Sequence, residues 1–367
     1  MLRNQSLKQI LADTRQYWDH GGTRSAVREN FLKILDCGTL ALGAEEYASE
    51  TKRLLVYHTC KSRACPSCGC RATRWWQEEL EAVLPDVSYG GINFTMPSVL
   101  WPIFQHNRHL LNDLPAIGAS AIQRWAKNKY GVSVLLIVVP QTFGGLLNFN
   151  PHLHMLVSAG GFQESEDIWI PLHFDKRELM EMWRLALIAY LWVALRSRAL
   201  KSDLAARQVK RVLDEQYRRQ WIIYISPFMS KAKFLRYAGR YIRRPPLPLN
   251  HIARITHREV RFVAKDTRAK GRVELRWPKE MFVDLLGEHV PDRYRHAMRY
   301  FGLLSPRSKR RTCIALFEVL KQKRRLRPVR LSWANSLSRD FGVNPLIDSC
   351  GQPMRWIGRR KAERSCE

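Results

Sequence analysis

Three groups of side chains in this 367-residue chain have the types and spacing that chemistry needs. His152 and His154 stand one residue apart in NFNPHLHMLVSAGG. Met155-Leu156-Val157 mark that segment as a strand, so period-two alternation puts both imidazoles on one face, where two neutral rings make a divalent-metal site. Tyr237 and Tyr241 stand four apart in KAKFLRYAGRYIR, a helical segment that must end before Pro245-Pro246. Both phenols therefore emerge on one helix face, flanked by Arg236, Arg240, Arg243 and Arg244. A phenol with its ordinary pKa of about 10 is a poor nucleophile at neutral pH unless a cation or base stabilises the phenolate. Two imidazoles for a metal, two phenols and a basic surround together suit attack on a phosphodiester.

The third group is cysteine. Cys60, Cys65, Cys68 and Cys70 crowd into HTCKSRACPSCGC, and Cys65-Pro-Ser-Cys68 is a C-x-x-C knuckle that can grip one tetrahedral zinc. Cys60 is a third ligand, and the fourth is Cys37, His58 or Cys70. Cys37 is preferred because it follows an amphipathic helix and would tie that helix to the knuckle. A redox C-x-x-C is disfavoured, since no strand precedes it in the thioredoxin manner. Eight cysteines without an apolar leader segment, half of them clustered, favour metal over disulfides.

The charge says what such a site would act on. The chain carries 61 Lys and Arg against 33 Asp and Glu, and the excess is uneven: residues 1–195 hold 19 basic and 18 acidic side chains, residues 196–330 hold 36 and 11, and residues 331–367 hold 6 and 4. A polyanion is the indicated partner, because Lys and Arg that neutralise phosphates release condensed counterions. A membrane surface would need a basic helix with a strong apolar face, whereas these charges interleave with Tyr, Trp and Phe. The apolar runs at 132–139 and 185–195 are too short to span a bilayer, so the expectation is a cytoplasmic protein with no membrane partner.

Several elements must position these groups. Residues 1–36 read as helical, 37–75 as the cysteine module, 89–96 as a strand, 100–130 as mostly helix interrupted near Pro115, and 132–139 as a buried strand rich in β-branched residues. A long amphipathic helix over 176–219 precedes a strand over 221–226 and then the tyrosine helix. Residues 251–276 alternate like a hairpin around Ala269-Lys-Gly271, and 279–287 like a helix. The fold class is α+β, an antiparallel sheet with flanking helices, a small N-terminal zinc module and a basic helical C-terminal region. The segments are 1–85, helix and zinc-binding domain; 86–250, an α+β core; 251–311, an extension of that core; and 312–367, a basic tail. Trp221 and Tyr224 either stack bases or fill the core.

NPHLHMLVSAGG, YAGRYIRRPP and the downstream Met298-Arg-Tyr-Phe-Gly-Leu-Leu-Ser resemble the two-tyrosine rolling-circle transposases of the insertion-sequence family ninety-one, whose nuclease domain belongs to the HUH endonuclease class. HTCKSRACPSCG resembles the zinc-binding domain of the same family. The four blocks keep the family's order over most of residues 31–311. The chain departs from the family pattern at GAEEYASE, which has no cysteine where a further knuckle is usual, and at Arg243, where relatives often carry His.

The resemblance implies that His152 and His154 hold Mg²⁺ or Mn²⁺, that Tyr237 and Tyr241 are nucleophiles, and that Cys37, Cys60, Cys65 and Cys68 hold structural Zn²⁺. It implies cleavage and rejoining of single-stranded DNA at element termini and target through a 5′-phosphotyrosine, in a bacterial protein found at the nucleoid when bound to DNA. No ATP is needed, in keeping with the absence of a G-x-x-x-x-G-K-[ST] loop. A third metal ligand is expected from Gln141 or from Asp or Glu elsewhere. The rival readings are a plasmid replication initiator or relaxase with the same chemistry, a non-catalytic zinc-dependent DNA-binding protein, and a nuclease that uses water.

Overall fold

A computed structural model describes residues 5–201, 206–242, 245–248, 251–266, 271–296, 298–308 and 310–362. Among these the elements run α1 Gln5–Asp13, α2 Arg15–Trp18, α3 Ser25–Leu35, β1 Ala44–Ala48, β2 Arg53–Tyr57, α4 Pro66–Val83, β3 Ser88–Phe94, α5 Trp101–His106, α6 Leu114–Tyr130, β4 Ser133–Phe143, β5 Phe149–Gln163 and β6 Ile168–Pro171. They continue with α7 Lys176–Arg196, α8 Ala206–Gln216, β7 Ile223–Ile225, β8 Met229–Ser230, α9 Lys231–Tyr241, β9 Ile252–Ile255, β10 Glu259–Asp266 and β11 Gly271–Pro278. The chain ends with α10 Lys279–Glu288, β12 Arg299–Gly302, α11 Arg310–Val319, α12 Trp333–Phe341 and β13 Arg355–Arg360. The fold is α+β with antiparallel sheets. Contacts divide the chain into two compact units that interleave in sequence: residues 1–72, 245–292 and 327–367 form one, residues 73–244 and 293–326 the other.

The second unit is built on one antiparallel sheet in the order β12-β4-β5-β3-β7, with β6 beside β5 and β8 beside β3. β4 is nearly continuously apolar because both of its faces are covered. One face, carrying Ile92, Phe94, Val134, Leu136, Val138, Leu153 and Met155, packs with the buried sides of α6 and α7. There the Trp183 ring stacks on Phe94 at 5.2 Å and its indole N–H donates to the Thr95 carbonyl at 2.7 Å. The other face, with Tyr89, Leu135, Ile137, Val139 and Leu156, meets Trp76 and Leu80 of α4 and Phe234, Leu235 and Ala238 of α9.

The first unit holds the cysteines. Trp18 meets Phe31 edge-on at 5.3 Å between the N-terminal helices, and buried Lys279 pairs with Asp13 at 2.6 Å. Two three-stranded sheets, β13-β1-β2 and β11-β10-β9, complete it.

Several elements differ from the sequence reading. The helix expected over 176–219 is two, α7 and α8, because Arg198 turns left-handed at φ 56° while the Ala199 and Leu200 amides close on the Ala194 carbonyl. The interruption expected near Pro115 falls at Asp113, and Pro115 opens α6, since its missing N–H is harmless in the first turn. The hairpin is β10–β11 with Asp266 opposite Gly271, joined by a third strand, β9; Ala269 and Lys270 lie outside the described residues. The C-terminal region is helical in α11 and α12 but also supplies β13. GAEEYASE is largely β1, where Glu46 is bound by Arg360 of β13 at 2.9 Å.

Candidate active site

β5 presents the histidines. In register His152 lies opposite Gln141 of β4, and His154 lies between Val139 of β4 and Asn93 of β3. Residues opposite one another in a sheet share a face, so these five side chains belong to the face that α9 covers. The two Nε2 atoms are 2.9 Å apart. His152 Nδ1 is 2.6 Å from the Asn150 carbonyl, which can only accept, so Nδ1 carries the proton and Nε2 presents its lone pair.

α9 is fixed over this face at three points. At its start, buried Lys231 donates to the Glu81 and Leu84 carbonyls, each at 3.0 Å, and pairs with Asp86 at 2.6 Å. The Lys231 ammonium holds the Asp86 carboxyl below its usual range, with Arg325 adding to the effect. In the middle, Gln77 Nε2 donates to the Leu235 carbonyl at 2.6 Å. That approach needs Gly239, since a Cβ there would fall 2.2 Å from the Gln77 amide. Past its end, buried Gln141 Nε2 donates to the Ile242 carbonyl at 2.6 Å. The strand residue opposite His152 thus also holds the end of the tyrosine helix.

Half-buried Tyr237 packs its ring on Phe234 at 5.9 Å. A Cβ added at Gly91 would lie 3.5 Å from Tyr237 Cε1, in ordinary contact. Gly91 shares the face of Asn93, two residues along β3, so Tyr237 lies on the histidine face. Tyr241 is the last residue of α9, one helical turn on from Tyr237; its side chain is not described. Arg236 and Arg240 are exposed on α9, while Arg243 and Arg244 lie outside the described residues.

The sulfurs of Cys37, Cys60, Cys65 and Cys68 lie within 4.8 Å of one another, with Cys37–Cys68 at 3.7 Å and Cys60–Cys68 at 3.5 Å. Four sulfurs about 2.3 Å from one tetrahedral zinc sit about 3.8 Å apart. Cys37 directly follows α3 and its capping Asp36, and Cys68 lies in the first turn of α4. Without an ion the four thiols share protons unequally: donation from Cys60 holds Cys37 well below the usual thiol range, and Cys60 itself is pushed up. His58 is not a ligand in this arrangement, since Nδ1 meets the Leu42 carbonyl at 3.0 Å and Nε2 meets Glu45 at 3.1 Å. The Cys70 side chain is not described.

A family model described as "Transposase zinc-binding domain" matches residues 9–96, which contain all four cysteines, and one described as "Putative transposase" matches residues 136–312, which contain both histidines and both tyrosines. The transposase for insertion sequence element IS801 of Pseudomonas savastanoi pv. phaseolicola is 30% identical over 326 residues, covering 85% of this chain and 79% of that one. The chain belongs to the transposases of insertion-sequence family ninety-one.

A second relative of this transposase, "Putative transposase y4qJ" of Sinorhizobium fredii, is 28% identical over 305 residues, covering 78% and 77% of the two chains. No solved structure matches the transposase. It is an enzyme acting on DNA, with an N-terminal zinc-binding domain, and among its described residues no helix is long and apolar enough to cross a membrane. Sequence reasoning missed Lys231, Gln77 and the grip of Gln141 on α9. For Lys231 the helical period was the signal: Phe234, Leu235 and Ala238 lie three, four and seven residues on, so Lys231 falls on the buried face of its helix. Gln77 and the Gln141 contact left none, because each partner is a backbone carbonyl distant in sequence.

Proposed function

We propose that the transposase cleaves and rejoins single-stranded DNA at its element's ends by tyrosine attack. The supporting observation is the placement of His152, His154 and Tyr237 on one face of one sheet. The Tyr237 oxygen bonds to the scissile phosphorus, the bond from phosphorus to the 3′ oxygen breaks, and that oxygen leaves as a 3′-hydroxyl. A 5′-phosphotyrosine remains, which keeps the bond's energy for rejoining. Tyr241, on the same face of α9, serves a second strand while the first tyrosine is occupied.

The donor set fits Mg²⁺ or Mn²⁺, with Mn²⁺ the better match to imidazole. Two cis ligands about 2.1 Å from an octahedral ion lie about 3.0 Å apart, close to the 2.9 Å between the Nε2 atoms. Gln141, opposite His152, is the third donor. When bound, the ion supplies Lewis-acid polarisation and orientation of phosphate oxygens. Arg236 and Arg240, with Arg243 and Arg244, neutralise phosphates and favour the phenolate through their positive field. The site is cytoplasmic, at the nucleoid.

The test uses purified chain, Mn²⁺ and a single-stranded terminus oligonucleotide labelled at its 3′ end. The expected product is a labelled protein adduct stable to denaturant. Combining Tyr237→Phe with Tyr241→Phe removes the adduct and the cleavage together. Persistent cleavage in that double variant would make water the nucleophile and end the proposal. His152→Ala abolishes cleavage and spares salt-sensitive binding.

A further inference from the structure

The histidine face runs on past His154 to the edge of the sheet. Asn93 of β3 is opposite His154 on one side and opposite Tyr224 of β7 on the other. The three form a row across neighbouring strands, and two strand spacings put the Tyr224 backbone about 10 Å from that of His154. Gly91, with the Tyr237 ring beside it, lies two residues along β3 from Asn93, so the row borders the phenol as well.

The two candidate aromatics of this segment have opposite fates. Trp221 is 5% exposed and meets Trp183 edge-on at 6.4 Å, which makes it core. Tyr224 is 52% exposed, whereas its neighbour Ile223, on the opposite face, is buried. The strand's burial is thus met by the other face, and the tyrosine ring is presented to solvent in line with the metal-binding pair. Asn93, half-buried in the middle of a sheet, puts a polar amide between them. Arg218 and Arg219 are exposed just before the strand; Arg219 pairs with Glu215 at 3.9 Å, and its carbonyl is fixed by Arg184 Nη1 at 2.8 Å.

We propose that Tyr224 is a stacking platform for a base flanking the scissile phosphate, with Asn93 contacting the same nucleotide. An aromatic face takes any base, and single-stranded binding sites pair such faces with basic tracks along the backbone. A flat ring and positive charges fit single-stranded DNA. The location of this subsite beside a cleavage centre rests on the proposed function above; the stacking itself does not.

The experiment measures anisotropy of a labelled oligothymidylate on the full chain, zinc in place and no other divalent ion added, over a series of salt concentrations. Tyr224→Ala is expected to weaken binding by roughly 5- to 150-fold, with the slope of log K against log salt unchanged, since no phosphate contact is lost. Tyr224→Trp and Tyr224→Phe restore it. Arg219→Ala should instead lower the slope by about one. An unchanged thermal midpoint for Tyr224→Ala confirms that the fold persists. Wild-type affinity in Tyr224→Ala, or a loss that Tyr224→Phe does not rescue, would overturn the platform, as would a fall in sedimenting mass that marks β7 as a contact between copies. Absence of an adduct from the wild type would instead sink the cleavage mechanism and leave this result standing.

Discussion

The cysteine unit and the sheet unit solve the problem of holding a polar centre by opposite means. In the cysteine unit the polar centre is a fastener: one sulfur just after α3, two from the loop before α4 and one from α4 itself converge within 4.8 Å, in a unit whose core also holds Trp18, Phe31, Phe262 and Phe282. In the sheet unit the polar centre is the passenger. His152 and His154 ride on a strand whose other face is buried against α6 and α7, and removing their imidazoles would leave that core intact. A structural centre can therefore fasten the elements that supply it, whereas the candidate site in the sheet unit borrows rigidity from a core it does not help to form.

Removing zinc should separate the two units most strongly. Structural zinc in small domains is worth about 10–16 kcal/mol, so a strong chelator, or Cys65→Ser, should unfold the cysteine unit. Amide hydrogen exchange should rise in α3 and β2 while β3, β4 and β5 keep their protection. Equal exchange in both units would show that the sheet unit depends on zinc too. Next in size is the apolar core: Trp183→Ala removes a buried ring and its bond to the Thr95 carbonyl, and should cost about 3–5 kcal/mol in urea unfolding of the sheet unit.

Lys231→Met tests the anchor of the tyrosine helix. It leaves the Glu81 and Leu84 carbonyls without their ammonium donor, for a loss of about 1–3 kcal/mol. Because Lys231 holds the Asp86 carboxyl down, the ion pair stabilises the fold above the unfolded carboxyl pKa of about 4 and fades as pH falls through the folded value. The gap between wild type and variant should therefore narrow on acidification, and a gap that widens would point to a different cause. Gly239→Ala pushes Gln77 off the Leu235 carbonyl and should cost about 1 kcal/mol, a cost that vanishes in a Gln77→Ala background, where alanine's better helix propensity takes over. Smallest of all, Arg325→Ala breaks exposed pairs to Glu81 and Asp86 and should shift stability by less than about 0.5 kcal/mol.

Much of the site is written locally. The knuckle spacing of Cys65 and Cys68, the alternation of His152 and His154 and the four-residue step between the tyrosines each follow from the geometry of a single element. Cys37 was legible for a related reason, since a cysteine just after an amphipathic helix has one obvious use. Other features were illegible because two partners had to be known at once. β13 looks like a basic tail until it is seen beside β1, where Arg359 and Arg360 meet Glu45 and Glu46. Nothing local separates Trp221 from Tyr224 either, since alternation gives two faces without saying which one a helix covers.

The sequence alone therefore determined which groups could do chemistry, that two of them share a strand face and two a helix face, and that the partner is a polyanion, because side-chain period and charge are properties of neighbours along the chain. Tertiary structure decided that the strand face and the helix face meet, that Gln141 stands opposite His152 and grips the Ile242 carbonyl, and that chain segments 245–292 and 327–367 belong with the cysteines. Those outcomes turn on register and packing between residues far apart in sequence, whose energies exist only once the chain has folded.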